Sequence, residues 1–131
     1  MVCLDTDFLV DLLRLRREAW AELEQLRRDK IELSTTAINI CELFRGAFIS
    51  KDIARTIQGI EAMIDSLKIL DINRKASEMF GRLSVEMRNK GSPIADFDLL
   101  IASVAVAHGE SILTRNKKHF EKVPGLLIDT W

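Results

Sequence analysis

Glycine and proline are scarce in this chain, and no stretch of it is repetitive or of low complexity. The 131 residues include six glycines and two prolines, while 47% of the residues are hydrophobic and 30% are charged. This composition is typical of a folded globular chain and excludes disorder as the main state. The length predicts one domain, residues 1–131, with a core of modest size.

An excess of charge of either sign is also missing. The formal net charge is -1 and the isoelectric point is about 6.1. The chain therefore has no overall basic field of the kind that attracts nucleic acid, which disfavours binding of nucleic acid through charge alone. An enzyme whose acidic site is masked by metal ions is not excluded.

Long apolar runs and abundant cysteine are absent as well. The longest apolar run, Leu99 to Ala107, is far shorter than the ~20 residues that a membrane helix needs. Aspartates at positions 5, 7 and 11 interrupt what would be the apolar part of a secretory signal. Cys3 and Cys41 lie in apolar stretches, which predicts buried thiols in a reducing compartment. We therefore expect a cytoplasmic protein with no membrane segment.

Five short apolar segments have the pattern of strands and alternate with helical patterns; they are MVCLD, KIELSTT, KILDI, SILT and GLLID. This alternation predicts an α/β fold, with a central, mainly parallel β-sheet of about five short strands flanked by α-helices. In such sheets, functional sites form beyond the carboxyl ends of the strands. Acidic residues at those ends are therefore the first candidates for function.

Helix boundaries follow from capping residues and breakers. Thr6 or Asp7 is predicted to cap the first helix, and the amphipathic pattern continues through REAWAELEQLRRD. Thr35 or Thr36 is predicted to cap the helix after the second strand. The later helices are expected to end at Gly91 and Gly109, which follow the last periodic residues.

Four oxygen-bearing side chains are expected at one end of the sheet. Asp5 closes the first strand, Glu42 lies in the helix after the second, Asp98 opens the helix before the fourth, and Asn116 follows the fourth. Hard oxygen ligands of this kind are what Mg²⁺ or Mn²⁺ requires, and a bound divalent ion would explain why several carboxylates coexist.

Each acid also has a simpler interpretation. Asp5 would serve as a turn former at a strand end, Glu42 would belong to a solvated helix face with Asn39 and Gly46, and Asp96 is best explained as an N-cap. Asp98 is different, because the helix that follows it is apolar nearly all round. Burying that carboxylate requires a partner, either a metal ion or an arginine.

Four segments in order, LDTDFLVDLL, TTAINICELFRG, GSPIADFDLLIASVAVAHG and ILTRNKKHFEKVPGLLIDTW, resemble the PIN-domain ribonucleases, specifically the VapC-type toxins of toxin–antitoxin pairs. The resemblance extends over essentially the whole chain. PIADFDLLIAS followed by LTRNKKHFEKVPGL is its most specific part. The resemblance implies a small α/β domain that cleaves RNA with Mg²⁺ or Mn²⁺.

The family's site residues are assigned only to positions of this sequence that match the family's motifs. By resemblance, Asp5, Glu42 and Asp98 correspond to the three core metal-binding acids. Asn116 stands where many members have a fourth Asp, which removes one negative charge and would weaken a second metal site. Asp96 would supply some of that charge directly or through water. Thr114 matches a small hydroxyl residue that often lies beside the site.

The implied chemistry is hydrolysis of a phosphodiester by metal-activated water. Candidate phosphate contacts are Arg115 and Lys117, with Lys118 and Arg45 as further cations. His119 is not expected to bind metal, because it precedes Phe120 in a segment that family members use for packing.

The resemblance also implies partners. VapC-type toxins usually form homodimers and are neutralised by a small VapB-type antitoxin, whose tail packs in a groove and brings an Arg toward the acids. Candidate surfaces are the stretches DFLVDLL and IARTIQGIEAMI, although core packing explains the same apolar spacing.

Three other functions remain open. A phosphatase of the haloacid-dehalogenase type would also place two acids after a strand, as in LDTDFL, and a phospho-acceptor receiver domain would use Asp71 as its acceptor. Neither of these classes explains Glu42 or Asp98. A PIN fold that has lost activity and only binds partners is the third.

Overall fold

The computed structural model describes all residues from 1 to 131 and contains a single α/β unit. The strands are β1 (Val2–Leu4), β2 (Leu33–Thr36), β3 (Lys68–Leu70), β4 (Ser111–Leu113) and β5 (Ile128–Asp129). The helices are α1 (Thr6–Leu13), α2 (Arg17–Arg28), α3 (Ala37–Phe48), α4 (Ile53–Ile64), α5 (Arg74–Asn89), α6 (Asp96–Ala107) and α7 (Lys117–Phe120).

The five strands form one sheet in the order β3-β2-β1-β4-β5. All four pairings are parallel, so the predicted α/β fold with a mainly parallel sheet is confirmed. In the central pairing Leu4 lies opposite Leu113. The residues that follow β1 and β4 therefore lie side by side at the carboxyl edge of the sheet.

Two apolar clusters cover the two faces of the sheet. Alternate residues of β1 divide between them, because side chains of a strand point to opposite faces. Cys3 packs in a cluster with residues of α5 and α6, whereas Val2 and Leu4 pack with residues of α1, α2 and α4. Helix α3 contributes to both clusters, through Ile38 on one side and Leu43 on the other. The strand ends at the carboxyl edge are thus framed by α1, α3 and α6.

Several local predictions are confirmed. Thr36 caps α3 and forms a capping box with Asn39. Helix α5 ends before Gly91, and α6 ends before Gly109; both glycines have positive φ, 69° and 70°. Helix α6 is buried nearly all round, as its apolar sequence indicates.

Other local predictions are wrong. Asp5, not Thr6 or Asp7, is the N-cap of α1. The first helical pattern is split into α1 and α2, because Leu15 adopts φ 58° in the left-handed region and breaks the helix. Cys41 is exposed, since it lies on the outer face of α3, and only Cys3 is buried.

Asp96 is not an N-cap either. The N-cap of α6 is Ala95, whose side chain makes no capping hydrogen bond, and Asp96 is the first helical residue. Its side chain is exposed. A carboxylate in the first turn still interacts favourably with the helix dipole, so the position stabilises α6 without a direct cap. The short helix α7, which was not predicted, follows Asn116 directly.

Candidate active site

Asp5 is the most buried acid at the carboxyl edge of the sheet, with 6% of its surface exposed. Its Oδ1 accepts hydrogen bonds from the Thr6 backbone N–H at 2.9 Å and from Asn39 Nδ2 at 3.0 Å. Its Oδ2 accepts a hydrogen bond from Thr114 Oγ1 at 2.7 Å. Three donors, from α1, from α3 and from the residue that follows β4, therefore fix the orientation of this carboxylate.

Glu42 is joined to Asp5 through two intermediate side chains. The Thr6 hydroxyl donates to Glu42 Oε1 at 2.7 Å and accepts from Asn39 Nδ2 at 2.9 Å. The Asn39 amide therefore bridges the two acids, because it also donates to Asp5. The capping box with Thr36 holds Asn39 in place, since Asn39 Oδ1 accepts from the Thr36 hydroxyl at 2.6 Å. The cap of α3 thus positions the site.

Thr114 and Asp7 extend the network toward β4. The Thr114 hydroxyl lies 3.3 Å from Asp7 Oδ2, which also accepts from the Arg115 backbone N–H at 2.9 Å. Thr114 Oγ1 in turn accepts from the Asn116 backbone N–H at 3.0 Å. Thr114 is fully buried, so its hydroxyl is a fixed donor to Asp5.

Asp98 lies on the other side of Asn116, with 21% of its side chain exposed. The partner that its partial burial requires is His119, whose Nδ1 lies 3.0 Å from Asp98 Oδ2. The same Nδ1 lies 2.9 Å from Asn116 Nδ2. Phe120, not His119, is the packing residue of α7, because Phe120 is fully buried and the His119 side chain is exposed.

The electrostatics of the edge disfavour a negative charge on the buried acids. Burial above all raises the pKa of Asp5 to about 6, and repulsion from Asp7 and Glu42 adds to this effect, while the hydrogen bond from Thr114 opposes it. Burial also raises the pKa of Asp7 above its usual range. A cation at this edge would relieve both effects.

The three predicted acids share one edge but are not gathered around one point. No group of three His, Cys, Asp or Glu side chains comes together in an arrangement that could hold a metal ion. Glu42 is held by Thr6 and Asp98 by His119. Mutual repulsion among carboxylates favours such separate partners, because a hydrogen-bond donor offsets part of the charge.

Among the predicted RNA contacts, the two arginines pack on aromatic rings, whereas the two lysines are exposed and unpaired. The Arg115 guanidinium lies over the Trp131 ring at 4.4 Å and 3.6 Å from Asp11 Oδ2, so it is already engaged. Lys117 and Lys118 are exposed and line an open pocket of about 500 Å³ with Asn116 and His119. Arg45 lies over the Phe97 ring at 5.2 Å.

Sequence reasoning missed the side chains that connect the acids, Thr6, Asn39 and Asp7. The helical spacing predicts a solvated face shared by Asn39 and Glu42, yet Asn39 is fully buried. A sequence signal did exist, since Asn39 lies three residues after the capping Thr36 and three before Glu42.

No helix in the structure has both the length and the apolar character that crossing a bilayer demands.

Comparison with known proteins gives matches over nearly the full length. Residues 2–126 match the model of the PIN domain family. The tRNA(fMet)-specific endonuclease VapC of Salmonella typhimurium is 30% identical over 98% of this chain and 96% of its own length. Ribonuclease VapC2 of Rickettsia felis is 28% identical with the same coverage. The crystal structure of VapBC2 from Rickettsia felis, bound to a DNA fragment from its promoter, contains a chain that matches with a TM-score of 0.91 and 29% identity, covering 100% of this chain and 99% of that one.

Proposed function

Because the chain belongs to the PIN domain family and groups with its VapC ribonucleases, we propose that it is the toxin of a toxin–antitoxin pair. Its activity is hydrolysis of RNA phosphodiester bonds with Mg²⁺ or Mn²⁺ at an acidic site. The observation that carries the proposal is the hydrogen-bonded network at the carboxyl edge that joins Asp5 to Glu42 through Asn39 and Thr6. On its other side, Thr114 connects Asp5 to the backbone of Asn116, whose side chain lies beside the His119–Asp98 contact.

The donor set fits a hard divalent cation. Asp5, Glu42 and Asp98 offer carboxylate oxygens, which Mg²⁺ and Mn²⁺ prefer, and no thiol or thioether takes part. The raised pKa of Asp5 supports the same conclusion, because a buried carboxylate beside other acids lacks a compensating charge. When bound, the ion would activate a water molecule and stabilise the charge that develops on the phosphate.

The chain's own residues orient the acids and tune their charge. Thr114 and Asn39 hold the two oxygens of Asp5, so this carboxylate is fixed before any ligand arrives. Exposed Asp96 stands two residues before Asp98 on the first turn of α6 and would supply part of the negative charge that Asn116 lacks. Asn116 would contribute through water, since its side chain contacts His119.

The RNA backbone would be held by cations next to the acids. Lys117 and Lys118 precede His119 on α7, and neither takes part in the salt bridges Lys68–Glu32 and Arg115–Asp11 or in the His119–Asp98 contact. Their ammonium groups are therefore available for phosphates. Arg115 would join them if a phosphate replaced Asp11.

A groove between α1 and α4 fits a VapB-type antitoxin segment. Two adjoining pockets of about 440 and 400 Å³ share Leu13 and Gly59 in their walls. The second is lined mainly by apolar side chains, and the first extends to Glu42. An amphipathic segment would bury its apolar face there and bring a polar residue to the acids. Such a complex would act in the cytoplasm, with the toxin as a homodimer.

The decisive experiment compares RNA cleavage by the purified chain, freed of antitoxin, in Mg²⁺, Mn²⁺ and EDTA. We expect cleavage that requires metal, is abolished in Asp98→Asn and is reduced far less in Asp96→Asn, because Asp98 is partly buried against His119 whereas the Asp96 side chain is exposed. Unchanged cleavage by Asp98→Asn would refute the site assignment. Absence of both cleavage and metal binding in the wild type would favour an inactive PIN fold that only binds partners.

A further inference from the structure

A second feature lies beside the acidic edge, a pair formed by Phe97 and Arg45. The Arg45 guanidinium carbon lies 5.2 Å from the centre of the Phe97 ring, a cation–π distance. Phe97 is the residue before Asp98, and Arg45 lies one helical turn after Glu42. The pair therefore joins α6 and α3 next to two of the three acids. Asp98 contacts His119 of α7, whereas Phe97 contacts α3.

Both members of the pair remain open to binding. Phe97 keeps 40% of its surface exposed, although the residues that follow it in α6 are largely buried. Arg45 is exposed and forms no salt bridge with a carboxylate of the chain. An exposed aromatic ring with a cation on one face is a common platform for a nucleic-acid base, because every base offers a π-face.

The charge of the chain gives a reason for such a platform. The net charge is -1 and the edge itself carries several carboxylates. A polyanionic substrate therefore gains little from the overall field, and its affinity must come from local contacts. Stacking supplies attraction that does not depend on charge. The guanidinium N–H groups of Arg45 would in addition donate hydrogen bonds to the adjoining phosphate.

We infer that Phe97 and Arg45 form a stacking subsite for one unpaired base of single-stranded RNA next to the phosphate that is cleaved. The inference rests on the proposed ribonuclease function and adds a substrate subsite to it. The base stacks on the exposed part of the Phe97 ring, and Arg45 supports the ring from the other side. Double-stranded RNA does not fit, because its bases are already stacked on each other.

The test uses Asp98→Asn as a background, so that RNA binds in Mg²⁺ without being cut. The probe is a fluorescently labelled ten-nucleotide oligouridylate with 2-aminopurine at one central position. Its uracil neighbours stack weakly, so the 2-aminopurine fluoresces in the free strand and is quenched when it stacks on an aromatic ring. We expect Phe97→Ala to weaken binding by about tenfold and to remove the quenching. Phe97→Trp should retain both, and Arg45→Gln should weaken binding and reduce its salt dependence.

Phe48→Ala is the matched control, since Phe48 is an exposed phenylalanine at the far end of α3, 63% exposed. It should bind the probe like the background protein. Equal binding and quenching in Phe97→Ala would overturn the subsite, as would the absence of quenching when the Phe97 ring is intact. Conversion of a dimer to a monomer by Phe97→Ala would assign the ring to a subunit interface and would also overturn it.

Failure of the subsite is distinguishable from failure of the proposed function. The latter is measured in the wild type, as loss of metal-dependent RNA cleavage, and does not depend on the probe. A wild type that cleaves RNA together with a Phe97→Ala variant that binds and stacks normally would leave the function intact and reject the subsite alone.

Discussion

Thr114 Oγ1 donates a hydrogen bond of 2.7 Å to Asp5 Oδ2, which joins two residues 109 positions apart in the chain. The contact exists because β1 and β4 are parallel neighbours with Leu4 opposite Leu113, so that the next residue of each strand meets the other at the carboxyl edge. One of the lone pairs of Thr114 Oγ1 is used by the Asn116 backbone N–H. The hydroxyl therefore connects Asp5 to the segment that leads to His119.

Replacing the Thr114 hydroxyl should weaken metal binding strongly and lower the unfolding free energy only modestly. Thr114→Val removes the donor to Asp5 and should weaken Mn²⁺ binding by ~10–100-fold, the usual effect of losing an outer partner of a metal ligand. Thr35→Val is the matched control, because Thr35 is equally buried and donates to the Leu4 carbonyl at 2.8 Å without touching an acid. Both variants should lose ~1–3 kcal/mol of unfolding free energy in urea. Equal Mn²⁺ affinities in the two variants would contradict the role of Thr114.

The raised pKa of Asp5 predicts a pH-dependent stability in the absence of metal. The pKa is about 6 in the folded protein against 3.8 for an ordinary aspartate, mainly because the carboxyl is buried. Between these values the folded state keeps a proton that the unfolded state has lost. Stability therefore falls as pH rises through this window, and the full penalty is present above it.

Asp5→Asn removes that penalty. Its unfolding free energy should exceed that of the wild type by about 1–3 kcal/mol at pH 8, and the difference should vanish near pH 4. Urea unfolding in EDTA at the two pH values measures this. The control is Asp71→Asn, at an exposed aspartate, which should change little at either pH. A lower unfolding free energy of Asp5→Asn than of the wild type at pH 8 would show that the charge of Asp5 does not destabilise the folded state.

The architecture was predictable from the sequence, because short apolar segments alternate with helical patterns and each segment became a strand of the parallel sheet. The cap at Thr36 was also predictable, because a threonine directly before an apolar helical pattern is a preferred N-cap residue. The break at Leu15 and the cap at Ala95 were not, since both depend on backbone angles that no residue type there demands.

The site was predictable only as a set of separate residues. Asp5, Glu42 and Asp98 could be placed at one edge from their positions after or before strands. The connections between them could not, because they run through side chains with local roles, such as Asn39, which forms the capping box of α3 with Thr36. The contact between His119 and Asp98 was not predictable either, because it depends on the orientation of α7, a helix that the sequence pattern did not indicate.

If the antitoxin binds in the groove between α1 and α4, a substitution that fills the groove should weaken antitoxin binding. A Cβ atom at Gly59 would lie 3.4 Å from the Leu13 side chain, so Gly59→Leu should fill the space that both pockets share. We expect co-purification with the VapB-type antitoxin to fall about tenfold or more while RNA cleavage persists. Gly81→Leu, on α5 with open space around it, is the control and should leave the complex intact. Normal capture by Gly59→Leu would place the antitoxin elsewhere.

The central claim is that Asp5, Glu42 and Asp98 serve one metal site although each has a different partner in the structure. Titration of Mn²⁺ followed by electron paramagnetic resonance tests it most directly, because it measures binding without any RNA target. Asp5→Asn, Glu42→Gln and Asp98→Asn should each weaken Mn²⁺ binding by at least about tenfold, while Asp71→Asn binds like the wild type. Wild-type Mn²⁺ affinity in Glu42→Gln or Asp98→Asn would contradict the account.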